Sequence, residues 1–243
     1  MPRYFLELGY KGTSYHGFQV QDNAPTVQLA VQNALLVLYK ESIQLTGSSR
    51  TDAGVHSLQN FFHFDSDLAI KEEHTYNLNA ILPADIYIRS LKPVLPTAHC
   101  RFDAIGREYH YYIYTTKDPF MQDRGWYYPF DLDIHLLNKI SATIKEHTDF
   151  TSFSKRNTHA FTNNCTIETS YWEQVSVNQL RYTVRSNRFL RGMVRGLVAT
   201  MVKLVKANRG VDAFTDIINA KDCTKADFSS PPQGLFLSRV IFP

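Results

Sequence analysis

The chain has 243 residues, enough for one large domain or two small ones with an ample core. With 44% hydrophobic and 20% charged residues, it reads as an ordinary globular protein and not a disordered or fibrous one. A net charge of +3 permits nucleic-acid binding without requiring it, so the placement of basic residues matters more than their number. The 3 cysteines, Cys100, Cys165 and Cys223, form no CxxC pair, which argues against a disulfide framework or a cysteine zinc site, and no metal is expected. Met1-Pro2-Arg3-Tyr4 leads straight into strand-like sequence with no signal-peptide pattern. The stretch Leu190 to Val205 is broken by Arg191, Arg195 and Lys203, so no membrane span is expected. A cytoplasmic protein fits these features.

Tyr4, Leu6, Leu8 and Tyr10 alternate with Arg3, Phe5 and Glu7, which predicts a half-buried strand. The loop from Lys11 to Gln19 is polar but carries Tyr15 and Phe18, rings suited either to base stacking or to anchoring the loop on a core. Pro25-Thr26 opens a helix: Thr26 is a plausible cap, and Val27, Ala30, Ala34 and Leu38 recur at helical spacing. A short apolar run at Ile43 and Leu45 precedes the glycine-flanked loop Gly47 to His56, and Leu58 to Phe64 reads as another strand. That loop carries Asp52, with Arg50 two residues before it. Such a carboxylate is either an Asx-turn residue or a reactive group on a rigid platform. A helix around Glu72 to Ile81 ends at Pro83-Ala84-Asp85, and Ile86 to Leu91 alternates as a strand. The pattern is α+β, with helices covering one face of a mainly antiparallel sheet. Prolines from Pro93 onward mark a junction before Ala104, giving domains 1–104 and 105–243.

The second half opens with a strand from Gly106 to Thr116, whose alternation sets Tyr109 and Tyr111 on one face and Tyr112 and Tyr114 on the other. Trp126-Tyr127-Tyr128 continues the aromatic trend. A helix over Leu132 to Glu146 turns Ile134, Leu137, Ile140 and Ile144 inward. Asp149 to Phe153 begins a loop ending in Lys155-Arg156-Asn157, where basic residues meet aromatics. Strands follow at Ile167 to Val177 and Leu180 to Ser186. The longest helical pattern runs from Asn187 to Lys206, with Phe189, Met193, Leu197, Thr200 and Leu204 as its apolar stripe. Arg188, Arg191 and Arg195 would share another face of it. Gly192 and Gly196 each cost a helix about 1 kcal/mol against alanine, so a close neighbour is expected there. A short helix near Val211 to Ala220 and a strand Gly234 to Phe242 complete the second domain.

Several stretches resemble one family in order and spacing. Arg50-Thr51-Asp52-Ala53-Gly54-Val55-His56 is similar to the signature loop of the tRNA pseudouridine synthase A family. Tyr10 to Gln19 resembles its first motif, usually written YDGxxYxGWQ, with Lys11 in place of aspartate and Phe18 in place of tryptophan. Arg101-Phe102-Asp103-Ala104 with Arg107-Glu108-Tyr109, Asp149 to Phe153, Met193-Val194-Arg195 and Gly234-Leu235-Phe236-Leu237 resemble further family motifs. The resemblance implies two α+β domains with an active-site cleft between them, a homodimer, tRNA as partner and no cofactor. It implies conversion of uridine to pseudouridine in the anticodon stem-loop, at positions 38–40 of the tRNA.

In that reading Asp52 is the nucleophile, Arg195 keeps it ionised and aimed, and Tyr109 lies against the target base, where a phenol stacks and can assist proton traffic. The carboxylate serves three routes alike: attack on the sugar C1′, attack on the uracil ring, or a glycal-type route. The target must leave the stack, and Arg50 is placed to hold the flipped nucleotide or fill its place. Leu235 would wall the base pocket. Arg107, Arg156, Arg188 and Arg191 are expected phosphate contacts, and Phe18, Gln19 and His56 further substrate contacts. Two rival readings fit the same residues: a non-catalytic RNA-binding module, and a hydrolase that cuts uracil from the ribose.

Overall fold

The computed structural model describes residues 1–156 and 161–243, so Asn157 of the expected basic loop lies outside the described residues. Among those residues the chain forms nine β-strands and five α-helices, an α+β composition. Contacts divide it into two compact units, Met1–Ile105 with Phe236–Pro243, and Gly106–Leu235.

In the first unit β1 (Arg3–Tyr10) lies between β3 (His56–Asp65) and β4 (Ile86–Val94), antiparallel to both. The register sets Leu6 opposite Phe62 on one side and Leu91 on the other. Tyr4, Leu6 and Leu8 are buried on the face that helices α1 (Val27–Tyr39) and α2 (His74–Ile81) supply with Val31, Leu35 and Leu78. Each fully buried Leu or Phe there contributes about 2 kcal/mol. The Thr26 hydroxyl accepts from Leu29 N at 3.3 Å, satisfying one of the free donors that start α1. The α1 core stripe is Val27, Val31, Ala34 and Leu35, while the expected Ala30 and Leu38 flank it half-buried.

A two-residue strand, β2 (Thr46–Gly47), pairs antiparallel with β3, so the loop between them is closed by its own flanks. The last strand, β9 (Leu235–Ile241), pairs parallel with β3 at His56 and Ser57. Residues 236–243 therefore belong to the first unit and not to the second, as chain order had suggested. A parallel pairing between segments so far apart leaves no trace in local periodicity.

In the second unit β5 (Gly106–Tyr114) pairs in parallel with the short β6 (Trp126–Tyr127) and antiparallel with β8 (Gln179–Ser186), which forms a hairpin with β7 (Ile167–Ser176). Tyr111, Tyr182 and Trp172 stand opposite one another across the three strands and are buried. Helix α3 (Ile134–Thr143) docks on β7, where the Asn138 side chain bonds both the N–H and the carbonyl of Trp172 at 2.8 Å. Helix α4 (Met193–Lys206) is buried on most of its circumference and packs against α3 and α5 (Val211–Asn219).

Helix α4 starts at Met193, six residues later than the periodicity predicts. Asn187 is drawn to the start of β7, taking a bond from Thr166 N at 2.9 Å and giving one to Thr166 O at 3.2 Å. Gly192 then adopts φ +75°, a left-handed conformation that cannot continue a right-handed helix. Arg188 and Arg191 thus precede the helix and share no helical face with Arg195. The close neighbour expected of Gly196 is present: a Cβ there would lie 2.8 Å from the Phe228 ring and 3.3 Å from that of Phe153.

Candidate active site

The loop between β2 and β3 is tied down on both sides of Asp52. Upstream, Ser48 N donates to Phe61 O at 2.8 Å and Asn60 Nδ2 donates to Ser49 O at 2.8 Å. Thr51 Oγ1 meets the Tyr10 hydroxyl at 2.8 Å, with both residues buried. Burial pushes the Tyr10 phenol up to about 12, so it stays neutral and available as a donor. Downstream, Val55 N donates to Asp52 O at 3.2 Å across a turn in which Gly54 takes φ +77°. Asp52 itself is half-buried, and Arg50 is exposed.

The motif around Tyr15 braces this loop. Phe18 N donates to Thr51 O at 3.1 Å, Gly54 N to Tyr15 O at 3.2 Å, and Gly12 N to His56 Nδ1 at 3.0 Å. A side chain at Gly12 would run into the Val55 carbonyl, so only glycine allows the approach. The brace is itself anchored where Tyr15 OH donates to Asp85 Oδ1 at 2.6 Å. Burial, with the Asp85 carboxylate beside it, raises the Tyr15 phenol well above its ordinary range.

Two of the expected substrate contacts lie in the interior of the fold. Phe18 and His56 are each 1% exposed. The Phe18 ring stacks on Phe62 at 4.6 Å and beside Tyr10 at 5.7 Å, which places it in the core. The His56 ring stacks on Phe236 at 4.5 Å while its Nδ1 accepts from Gly12. Hydrophobic and polar anchoring has taken both residues away from solvent. Gln19 is exposed.

In the second unit Tyr109 lies on β5, 9% exposed, with its ring edge-on to Phe189 at 5.0 Å. Arg107 is half-buried on the same strand, opposite Ser186. Arg195 occupies the first turn of α4. Its Nε donates to Ser230 O at 2.8 Å, and Ser230 Oγ donates back to Arg195 O at 3.0 Å, which fixes the guanidinium. Tyr111 OH donates to Pro231 O at 2.8 Å, and its ring leaves no room for a side chain on Gly234. Burial drives the Tyr111 phenol far up, with the Arg195 charge pulling the other way. Tyr111 and Arg195 together hold the segment 228–234 that delivers Leu235, which is buried. Arg156 and Arg191 are exposed and Arg188 half-buried. Arg156 borders a cavity of about 330 Å³ with Lys155, Lys221 and Asp222.

Sequence reasoning missed Asn60, Ser230 and the holding roles of Tyr10, Thr51 and Tyr111. Tyr10 and Thr51 lie inside recognised motifs, the one signal that could have flagged them. Their partnership across 41 positions is visible only in the fold.

Residues 147–243 match a family model described as tRNA pseudouridine synthase. The tRNA pseudouridine synthase A of Parabacteroides distasonis is 41% identical, over 100% of this chain and 97% of its own length. That of Bacteroides thetaiotaomicron is 38% identical over 100% of this chain and 91% of its own, and that of Staphylococcus aureus 32% over 98% and 91%. The chain belongs to the tRNA pseudouridine synthase A family. It is thus grouped with isomerases that turn uridine in tRNA into pseudouridine, a reaction that gains and loses no atoms. Within this family, the Phe18 departure concerns core packing, since its ring fills the space between Phe62 and Tyr10. The Lys11 departure leaves the backbone hold intact, with Lys11 N donating to Asp85 O at 2.8 Å. Among the described residues no helix is long and apolar enough to cross a membrane.

Proposed function

We propose that this protein isomerises uridine in the anticodon stem-loop of tRNA, with Asp52 as nucleophile, and that it works in the cytoplasm as a homodimer. Asp52, Tyr109 and Arg195 would be the catalytic groups acting on a flipped uridine. The observation that carries the reading is the anchoring of Asp52: a half-buried carboxylate on a loop held at Ser49, Thr51, Gly54 and His56, in a chain whose full-length relatives bear this enzyme's name. A nucleophile needs such preorganisation because a positioned group avoids the entropic cost of finding its target.

In the reaction the bond from ribose C1′ to uracil N1 breaks and a bond from C1′ to C5 forms. The proton on C5 leaves and N1 takes one up, so the mass is unchanged. Arg195, with its Nε fixed on Ser230 O, would bring a guanidinium charge to the reaction. Tyr109 would stack on the base, and its phenol would serve the proton transfer at C5. Leu235 would close one wall of the pocket. Arg50, Arg107, Arg156, Arg188 and Arg191, with Gln19, would meet the RNA, where phosphate contacts position the substrate and its shape selects it.

The test follows C5-tritiated uridine in unmodified tRNA transcript. Wild-type protein should release tritium to water, and Asp52→Asn should bind tRNA while release stops. Continued release from the variant would remove Asp52 from the mechanism. Free uracil with an abasic site would favour hydrolysis, and binding with no release by the wild type would favour a pure RNA-binding module.

A further inference from the structure

We propose that Asn60 and His56, both on β3, are positioning residues for Asp52, holding the two flanks of the loop that precedes their own strand. The inference rests on the assignment of Asp52 as nucleophile made above. Three residues before Asp52, the Ser49 carbonyl accepts from Asn60 Nδ2 at 2.8 Å. The same Nδ2 lies 3.4 Å from the Tyr10 hydroxyl, which in turn meets Thr51 Oγ1, on the residue adjoining Asp52. Asn60 is fully buried, and its Oδ1 accepts from Phe61 N at 2.9 Å, so both ends of the amide are occupied and its orientation is fixed.

Four residues after Asp52, His56 Nδ1 accepts from Gly12 N at 3.0 Å, which requires a neutral ring with its proton on Nε2. Through Gly12 the imidazole carries the brace formed by Phe18 N on Thr51 O and Gly54 N on Tyr15 O. Its ring also stacks on Phe236, its register partner on β9, at 4.5 Å. The six residues from Arg50 to Val55 span the interval between the Ser49 and His56 holds. Releasing either hold lets the carboxylate drift, and a misplacement of about 1 Å costs about 100-fold in rate. The expected signature is therefore a loss in kcat and not in tRNA binding.

The experiment compares Asn60→Leu, His56→Phe and His56→Asn by kcat, KM for tRNA and thermal midpoint. His56→Phe keeps a ring on Phe236 and loses the acceptor, whereas His56→Asn keeps an acceptor near the Nδ1 position and loses the ring. Asn60→Leu and His56→Phe should lose about 10-fold or more in kcat, with KM within about threefold of wild type. His56→Asn should recover most of that loss. Tyr10→Phe removes only the hydroxyl under Thr51 and gives the same reading should a larger change unfold the protein. Tyr182→Phe, which breaks a buried bond to Ser170 in the second unit, should lower the thermal midpoint and leave kcat intact. Folded Asn60→Leu and His56→Phe variants turning over at the wild-type rate would overturn the inference, as would His56→Asn being as slow as His56→Phe. Asp52→Asn run in parallel separates the two levels. If it still turns over, the nucleophile assignment has failed; if it is inactive while the positioning variants run normally, only the positioning role has failed.

Discussion

His63 is 6% exposed, with its Nδ1 3.2 Å from the Cys100 sulfur and its ring 4.4 Å from that of His99. Burial pushes this imidazole down to about 4, and the charges of His99 and Arg3 act in the same direction against Asp65 and Asp103. Its pKa in the unfolded chain is near 6.5. Between those values the unfolded state binds more protons, so the stability this group contributes is complete above about pH 6.5 and is lost as pH falls toward 4. The loss at pH 5 is on the order of 2 kcal/mol. Urea unfolding at pH 7 and pH 5 should show that drop in the wild type and a smaller one in His63→Gln, and equal drops would rule His63 out as the cause. At this scale residue types were a partial guide. Asp52 stood out in its loop, but Phe18 and His56 looked like ligand contacts, because exposure is a property of packing and not of residue type.

Helix α4 shows where periodicity misleads an element. The apolar spacing from Phe189 onward is helical on paper, yet the side-chain bonds of Asn187 and the left-handed Gly192 hold the first six residues out of the helix. Gly196 gives a test. Alanine there gains about 1 kcal/mol of helix propensity, but its Cβ would press on the Phe228 ring at 2.8 Å, and overpacking costs about 1–3 kcal/mol. Gly196→Ala should therefore lower the thermal midpoint. Because Ser230, two residues beyond Phe228, holds Arg195 Nε, it should lower kcat as well. A variant with a raised midpoint would mean that the ring yields freely. Strands and helices with strong patterns, such as β1, β3 and α1, were legible from alternation, from Thr26 and from the core stripe. The two-residue β2 and β6 were not, since so short a pairing carries no period.

For the whole molecule, a net charge of +3 places the electrostatics in the distribution of arginines. If Arg50, Arg107, Arg156, Arg188 and Arg191 meet phosphates, tRNA affinity should fall steeply with added salt, and each arginine-to-alanine change should reduce the slope by about 0.7 to 0.9 per lost contact. A flat response measured by filter binding would remove these arginines from the interface. By itself, the sequence determined the α+β class, most of the element order and, through ordered motifs, the family and its reaction. Those features are local or ordered along the chain, and a single strand of letters records them. Tertiary structure alone decided that the final strand joins the first unit, that Phe18 and His56 are buried, and that Tyr10, Asn60 and His56 hold the loop around Asp52. Each depends on contacts between segments tens to nearly two hundred positions apart, and the free energy of such contacts comes from burial and hydrogen bonding that no local pattern encodes.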